Sequence, residues 1–336
     1  MIKLGVIGYG YWGPNIVRNF FSNHEKTVVK ICDLSVDRLK IAHTNYPTIT
    51  TTTDPMEVIH DPEIDAVAII TPVFTHFELA KESLLYGKHV FIEKPFTSTS
   101  QQAEELIELA AKKNLLIMVD HTFLFTGAVM KMKELVENGS LGNLYYYDSV
   151  RVNLGLFQHD INVIWDLAPH DISIMNYLVP GLKPVSVSAT GACHVGTGLE
   201  DVAYLFVKYE NNFIAHFHSN WLSPVKIRKT LIAGDKKMLV WDDLEQDNKI
   251  KIFDSGIEVK NKEEMYRLLV QYRTGEMYTP RIENIEALKV ETEYFINCIK
   301  SNDLHPFNDG EAGLAVVKIL EASDLSLKNN GSEVKL

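Results

Sequence analysis

Short apolar runs alternate with amphipathic stretches from the first residues of the chain onward. Apolar residues recurring at every third or fourth position give a helix one buried face, whereas a brief continuous run bounded by turn residues reads as a buried strand. On that basis residues 4–7 form a strand, 14–21 a helix with Ile16, Val17, Phe20 and Phe21 at helical spacing, and 28–32 a second strand closed by Asp33. The alternation continues through 52–54, a short helix over 56–60, the strand 66–70 and a helix over 76–86 stopped by Gly87. The strand 88–92, the helix 101–112 and the strand 115–119 follow. Helices of this length between strands require crossovers and hence a parallel sheet. Residues 1–120 therefore predict one doubly wound α/β unit.

Beyond residue 120 the rhythm changes. A helix over 128–138 ends at Gly139, a partly alternating aromatic strand covers 144–153, and 163–178 reads as a helix with Asp166, His170 and Ser173 spaced to share a face. Strands then follow with short turns over 185–191, 202–209, 213–221, 226–233, 237–241 and 249–253, before helices over 281–299 and 311–327. Meandering strands predict an α+β unit with a large, open, mostly antiparallel sheet. The expected division is 1–120 and 121–336, with the closing helices able to pack back on the first unit.

Composition narrows the function classes. A chain of 336 residues is longer than one core usually supports, and 46% hydrophobic with 23% charged residues is ordinary globular usage. Lys and Arg total 33 against 44 Asp and Glu, so the net charge of −11 repels a nucleic-acid backbone or an anionic membrane. Cys32, Cys193 and Cys298 are odd in number and far apart, which fits neither a disulfide framework nor a clustered zinc site. No apolar run approaches the ~20 residues of a membrane helix, and no cleavable leader pattern opens the chain. A cytoplasmic protein is expected.

Candidate chemistry starts at Gly8-Tyr9-Gly10-Tyr11-Trp12-Gly13, a Gly-x-Gly-x-x-Gly turn between the first strand and the first helix. Such a turn lets a pyrophosphate lie against the backbone at a helix N-terminus, although the pattern by itself also occurs in turns that bind nothing. Asp33 stands twenty positions after Gly13 at the end of the second strand. A carboxylate there accepts from ribose hydroxyls and repels a 2′-phosphate, so NAD is the expected cofactor. The competing role for Asp33 is a cap for the helix that starts near Ser35.

With Thr71-Pro72-x-x-x-His76, Glu93-Lys94-Pro95 and Asp166-x-x-x-His170 following in order, the whole chain resembles the glucose-fructose oxidoreductase/inositol dehydrogenase (Gfo/Idh/MocA) family. The resemblance implies a dinucleotide fold followed by a sheet domain that often forms the subunit interface, and oxidation or reduction of carbinol carbons on sugars and cyclitols. It makes Lys94 the active-site lysine, places Asp166 and His170 beside the substrate, and sets Thr71, Pro72 and His76 along the cofactor cleft. The expected cofactor contacts are Gly8, Gly10, Tyr11, Trp12, Gly13, Asp33, Arg38, Thr71, Pro72, His76, Glu93 and Lys94. A cis Lys94-Pro95 bond would aim the lysine into that cleft. After the strand 115–119 the family commonly has an Asn-x-Arg-Phe-like stretch. This chain has His121-Thr122-Phe123-Leu124-Phe125 instead, so no contacts are transferred to it.

The runs 151–153, 165–171 and 220–228 look most similar to dehydrogenases acting at C3 of nucleotide-linked sugars. The expected activity is NAD-dependent oxidation of a sugar hydroxyl to a ketone, on a nucleotide-linked amino sugar or its uronic acid. The alternatives are an inositol or free-sugar dehydrogenase and a non-catalytic NAD-binding sensor. His170 is suited to take the hydroxyl proton, Lys94 to polarise the oxygen and Asp166 to orient the histidine, while a lysine of lowered pKa could exchange roles with it. Arg151, Asn153, Trp165, Lys226 and Arg228 are the candidate substrate residues, with Lys229 completing a short basic cluster, although charges on an exposed strand more often serve solubility than binding. His216 and His218 share a strand face, and His159 and Asp160 adjoin the site, but no third ligand stands at diagnostic spacing, so no metal is expected. The sheet domain suits a homodimer or homotetramer.

Overall fold

The computed structural model describes residues 2–22, 27–155, 160–196, 198–258 and 271–336. The chain divides into two compact units, Met1–Thr126 with Ile285–Lys318, and Gly127–Asn284 with Ile319–Leu336.

The first unit is built on strands β1 (Leu4–Ile7), β2 (Val28–Cys32), β3 (Thr50–Thr52), β4 (Ala66–Ile69), β5 (His89–Glu93) and β6 (Ile117–Asp120), in the order 3-2-1-4-5-6. Every pairing is parallel. The order reverses beside β1, the switch point where open α/β sheets bind ligands at their carboxyl ends. β3 ends two residues earlier than its sequence suggests, because Thr52 Oγ1 accepts from Asp54 N–H and Asp54 caps Met56 N–H, which turns 53–54 into a helix entry.

The helix expected over 281–299 begins only at Ala287 and runs to Ser301. Glu286, just before it, receives the side chains of Arg18 and Asn19. Its Phe295 is fully buried, with ring centroids 6.0 Å from Phe20 and 5.4 Å from Phe91. That helix therefore belongs to the core of the first unit.

The second unit carries a nine-stranded sheet of β7 (Leu144–Leu154), β8 (Pro184–Ala192), β9 (Val202–Tyr209), β10 (Ile214–Asn220), β11 (Leu222–Gly234), β12 (Met238–Asp242), β13 (Ile250–Phe253), β16 (Met277–Tyr278) and β17 (Val334–Lys335). A separate ladder pairs β14 (Gly256–Glu258) with β15 (Gln271–Arg273). The β7–β10 pair is parallel and the other described pairs of the large sheet are antiparallel. Strands β14 to β17 are two or three residues long, too short to show a period of two. The helix Val163–Leu178 is capped by Asn162, whose side chain accepts from Ile164 and Trp165 N–H. Its buried positions include Ile164, Trp165, Ala168, Ile172 and Met175, leaving Asp166 and His170 half-buried one turn apart.

Truncating a fully buried phenylalanine costs about 3–5 kcal/mol. Phe295→Ala is expected to destabilise the first unit by that amount in urea unfolding, although residue 295 lies far along the chain from the sheet it covers; a change below about 1 kcal/mol would place the helix outside this core.

Candidate active site

All twelve expected cofactor residues lie in the first unit, at the carboxyl ends of β1, β2, β4 and β5 or in the turns and helix that follow. Gly8 has φ +104°, and a Cβ there would sit 2.2 Å from the Ile70 carbonyl oxygen. A Cβ on Gly13 would sit 2.5 Å from the Gly8 carbonyl oxygen. Side chains at these two positions would overlap backbone, so the turn can close only with glycine. Gly10 is different, since a Cβ there would meet Arg38 Nη1 at an ordinary 3.5 Å. The turn is thus a bare-backbone cradle at the N-terminus of the helix Gly13–Ser22, the form that fits a dinucleotide pyrophosphate.

Asp33 is buried, with Oδ2 accepting from Tyr9 N–H at 2.7 Å and Oδ1 from Ser35 N–H at 2.8 Å. The helix cap is Ser35, whose side chain accepts from Arg38 N–H. Asp33 therefore locks the glycine turn to the loop after β2, and Arg38 Nη1 stands 3.6 Å from its Oδ2. The ring of Trp12 donates from Nε1 to Asp120 Oδ2 at 3.1 Å. Tyr11, Leu34 and Phe74 stay 84%, 85% and 64% exposed in the turns following β1, β2 and β4. Exposed apolar side chains at strand ends suit the flat faces of a nucleotide. The sequence marks Leu34 and Phe74 only as large apolar residues directly after Asp33 and shortly after Pro72.

His76 is fully buried and does not line a surface. Its Nε2 faces the Thr71 carbonyl at 2.8 Å and its Nδ1 the Pro95 and Phe96 carbonyls at 3.0 and 3.3 Å. It joins the turn after β4 to the turn after β5. The Lys94-Pro95 peptide is cis, and Lys94 and Glu93 are half-buried. Burial holds His76 below its ordinary pKa, and the nearby Lys94 charge acts in the same direction. His121 is 1% exposed with no hydrogen-bond partner on either ring nitrogen among the described residues. Burial, and secondarily Lys94 against an opposing Asp120, push its pKa down to about 4.

In the second unit, Asp166 Oδ2 accepts from Trp221 Nε1 at 2.9 Å, and Trp221 is itself buried against Gly155, where a Cβ would meet its ring at 2.4 Å. Trp221 thus fixes the carboxylate one turn before His170. Trp165 is buried and donates to Asp324 Oδ2 at 2.9 Å, which makes it an anchor for its helix rather than a surface for a ligand.

Arg151 is likewise committed. It is 3% exposed and grips Asp171 through Nε at 2.8 Å and Nη2 at 2.9 Å, tying β7 to the helix that carries His170. Arg228 Nη1 stands 3.4 Å from Asp243, Lys229 is paired with Asp242 at 3.1 Å, and Lys226 is exposed. Asn153 is half-buried near the end of β7. His216 Nδ1 lies 2.7 Å from Asp148, and its ring packs with Phe206. His159 lies outside the described residues, and among those described no three metal-ligating side chains converge.

Residues 2–121 match the model of an oxidoreductase family with an NAD-binding Rossmann fold, and residues 129–240 that of a Gfo/Idh/MocA C-terminal domain. The UDP-N-acetylglucosamine 3-dehydrogenase of Acidithiobacillus ferrooxidans is 30% identical over 197 residues, 58% of this chain and 60% of that protein. The myo-inositol 2-dehydrogenase of Thermotoga maritima is 25% identical over 353 aligned positions, 100% of this chain and 98% of that protein. Solved structures include the same Acidithiobacillus enzyme, with TM-score 0.82 at 23% identity over 98% of both chains. Another is scyllo-inositol dehydrogenase from Lactobacillus casei with bound NAD(H) and scyllo-inositol, with TM-score 0.80 at 20% identity over 100% of this chain and 99% of that one. The likeness to these two structures is one of fold.

Two outcomes test this geometry. Arg151→Ala leaves Asp171 buried without its partner, so it is expected to lower unfolding free energy by about 3–5 kcal/mol. An arginine that served only a ligand would leave stability unchanged. His121 titrates near 6.5 unfolded and about 4 folded. The unfolded chain therefore binds more protons in that window, and the stability present above pH 6.5 falls by about 3 kcal/mol as pH drops to 4. His121→Phe should remove that part of the acid loss in urea midpoints measured at both ends of the window. An identical acid loss in wild type and variant would mean that His121 accepts a proton without penalty.

Proposed function

Since the chain belongs to the Gfo/Idh/MocA family of oxidoreductases, whose Rossmann fold binds NAD, we propose that it oxidises the C3 hydroxyl of a nucleotide-linked amino sugar, or of its uronic acid, to a ketone. The observation that carries this reading is the Trp221–Asp166 hydrogen bond. Trp221 comes from the 220–228 run that resembles nucleotide-sugar dehydrogenases, and it orients the carboxylate that precedes His170. The 30% identity to a UDP-N-acetylglucosamine 3-dehydrogenase supports the same substrate class.

Bound NAD supplies the hydride acceptor. The chain must handle the hydroxyl proton and the developing charge on oxygen. His170 takes the proton, Lys94 hydrogen-bonds the carbinol oxygen, and Asp166 orients His170 or a neighbouring hydroxyl. Lys226, with Arg228, meets the substrate phosphates. A second copy docks on the outer face of the large sheet, where Tyr204, Phe206 and Ile214 are exposed, forming a homodimer or homotetramer. The protein works in the reducing cytoplasm.

One specific feature favours a smaller substrate. Arg151 is buried on Asp171, and Arg228 and Lys229 already face carboxylates, which reduces the cationic groups open to a pyrophosphate. An inositol or free sugar needs none of them, and the full-length match to an inositol dehydrogenase agrees with that second reading.

Purified protein given NAD and a panel of UDP-N-acetylglucosamine, its uronic acid, myo-inositol, scyllo-inositol and free hexoses is expected to produce NADH only with a nucleotide sugar. Turnover of an inositol instead establishes the second reading, and no turnover with any member in either direction overturns both. Lys94→Ala and His170→Ala should each lower kcat by about 10²–10⁴ while NADH titration stays within about two-fold; normal turnover in either variant removes that residue from the chemistry.

A further inference from the structure

Three carboxyl groups meet at the carboxyl end of the parallel sheet. Glu93 closes β5, Asp120 pairs beside it at the end of β6, and Glu291 enters from the helix Ala287–Ser301 with no exposed surface. Asp120 accepts from two donors, the Trp12 indole at Oδ2 and the Thr122 hydroxyl at Oδ1. Glu291 receives one long bond, from Asn308 Nδ2 at 3.3 Å, and the same amide group also holds the Val119 carbonyl at 3.0 Å. Its other oxygen, Oε2, is buried with no hydrogen-bond partner among the described residues. Asn308, which holds both Glu291 and the Val119 carbonyl, sets this carboxyl beside the end of β6, where Asp120 and Thr122 are its polar neighbours. Two carboxyl groups hydrogen-bond only if one keeps its proton. Asp120 already has two donors, so the proton belongs on Glu291.

We propose that Glu291, held as the neutral acid, is a positioning residue for the cofactor turn: it donates to Asp120, and Asp120 in turn holds the Trp12 indole within Gly8–Gly13. Trp12 also provides the carbonyl that accepts from Asn15 and Ile16 N–H at the start of the first helix, so fixing its ring fixes the helix end that faces the pyrophosphate. Burial, then Asp120 and Glu93, hold the Glu291 carboxyl well above the usual carboxylate range. The charged and titratable groups around it are Asp120 and Glu93 from the two strands, with His121 following Asp120 and Lys94 close to His121. When pH rises through the raised pKa of Glu291, two adjacent anions repel, Asp120 leaves the indole, and the turn loosens. The inference rests on NAD binding alone and stands apart from the substrate.

NADH titration followed by fluorescence between pH 6.5 and 9.5 tests it, with thermal melts confirming folded protein. Glu291→Gln keeps a donor at every pH and is expected to bind within about two-fold of wild type at pH 6.5 and to hold that affinity to pH 9.5. Wild type should weaken by about ten-fold over the same range, a normal size for coupling between sites. Glu291→Ala should cost about ten-fold at pH 6.5, but under about two-fold in a Trp12→Phe background, where the link is already cut. The proposal is overturned if wild type and Glu291→Gln share one pH profile, or if Glu291→Ala costs as much with Trp12→Phe as without it. Should Glu291→Ala fail to fold, the Glu291→Gln profile alone decides.

Discussion

The first unit depends on how near its first helix can come to its first strand. At Gly13 the distance from a would-be Cβ to the Gly8 carbonyl oxygen is 2.5 Å, less than any side chain tolerates. This approach exposes the backbone amides of the turn, brings Tyr9 N–H to Asp33, and carries Trp12 to Asp120 on the far side of β1 from β2. The turn is thus held from two directions by carboxylates that belong to different strands. Its shape is set by the absence of side chains, and its position by the Asp33 and Asp120 carboxyl groups.

Much of the fold could be read from periodicity because the strands of a parallel sheet are buried on both faces and stand out as apolar runs. The glycine turn, Asp33, Glu93-Lys94-Pro95 and the Asp166–His170 spacing were legible for the same reason: each is local in sequence. Partnership is not local. Nothing in the run around Arg151 shows that Asp171 will take both arms of its guanidinium, and nothing around Trp165 points to Asp324. His76 is similar, since a motif position gives no sign that both ring nitrogens will face carbonyls. The roles of Trp221 and Glu291 have no local signal, because they depend on Asp166 and Asp120, residues 55 and 171 positions away.

Charge follows a comparable logic in the second unit. Lys226, Arg228 and Lys229 stand out as a basic cluster in a chain of net charge −11, and two of the three are paired with the neighbouring carboxylates Asp243 and Asp242. Such partly exposed pairs are worth little in stability. They do, however, set a local competition that an incoming phosphate has to win, which makes affinity there sensitive to ionic strength and to the geometry of the ligand.

The first unit is completed by a segment made long after its sheet. Phe20 and Phe91 form an apolar edge whose cover, Phe295, is synthesised 204 positions after Phe91. At the usual pace of translation that gap lasts roughly 10–40 s, long compared with the collapse of a nascent domain. Throughout it, a nearly complete sheet lacks this aromatic cover while residues 127–284 of the second unit emerge. The order of the chain thus leaves, during synthesis, an apolar face that the finished molecule no longer shows.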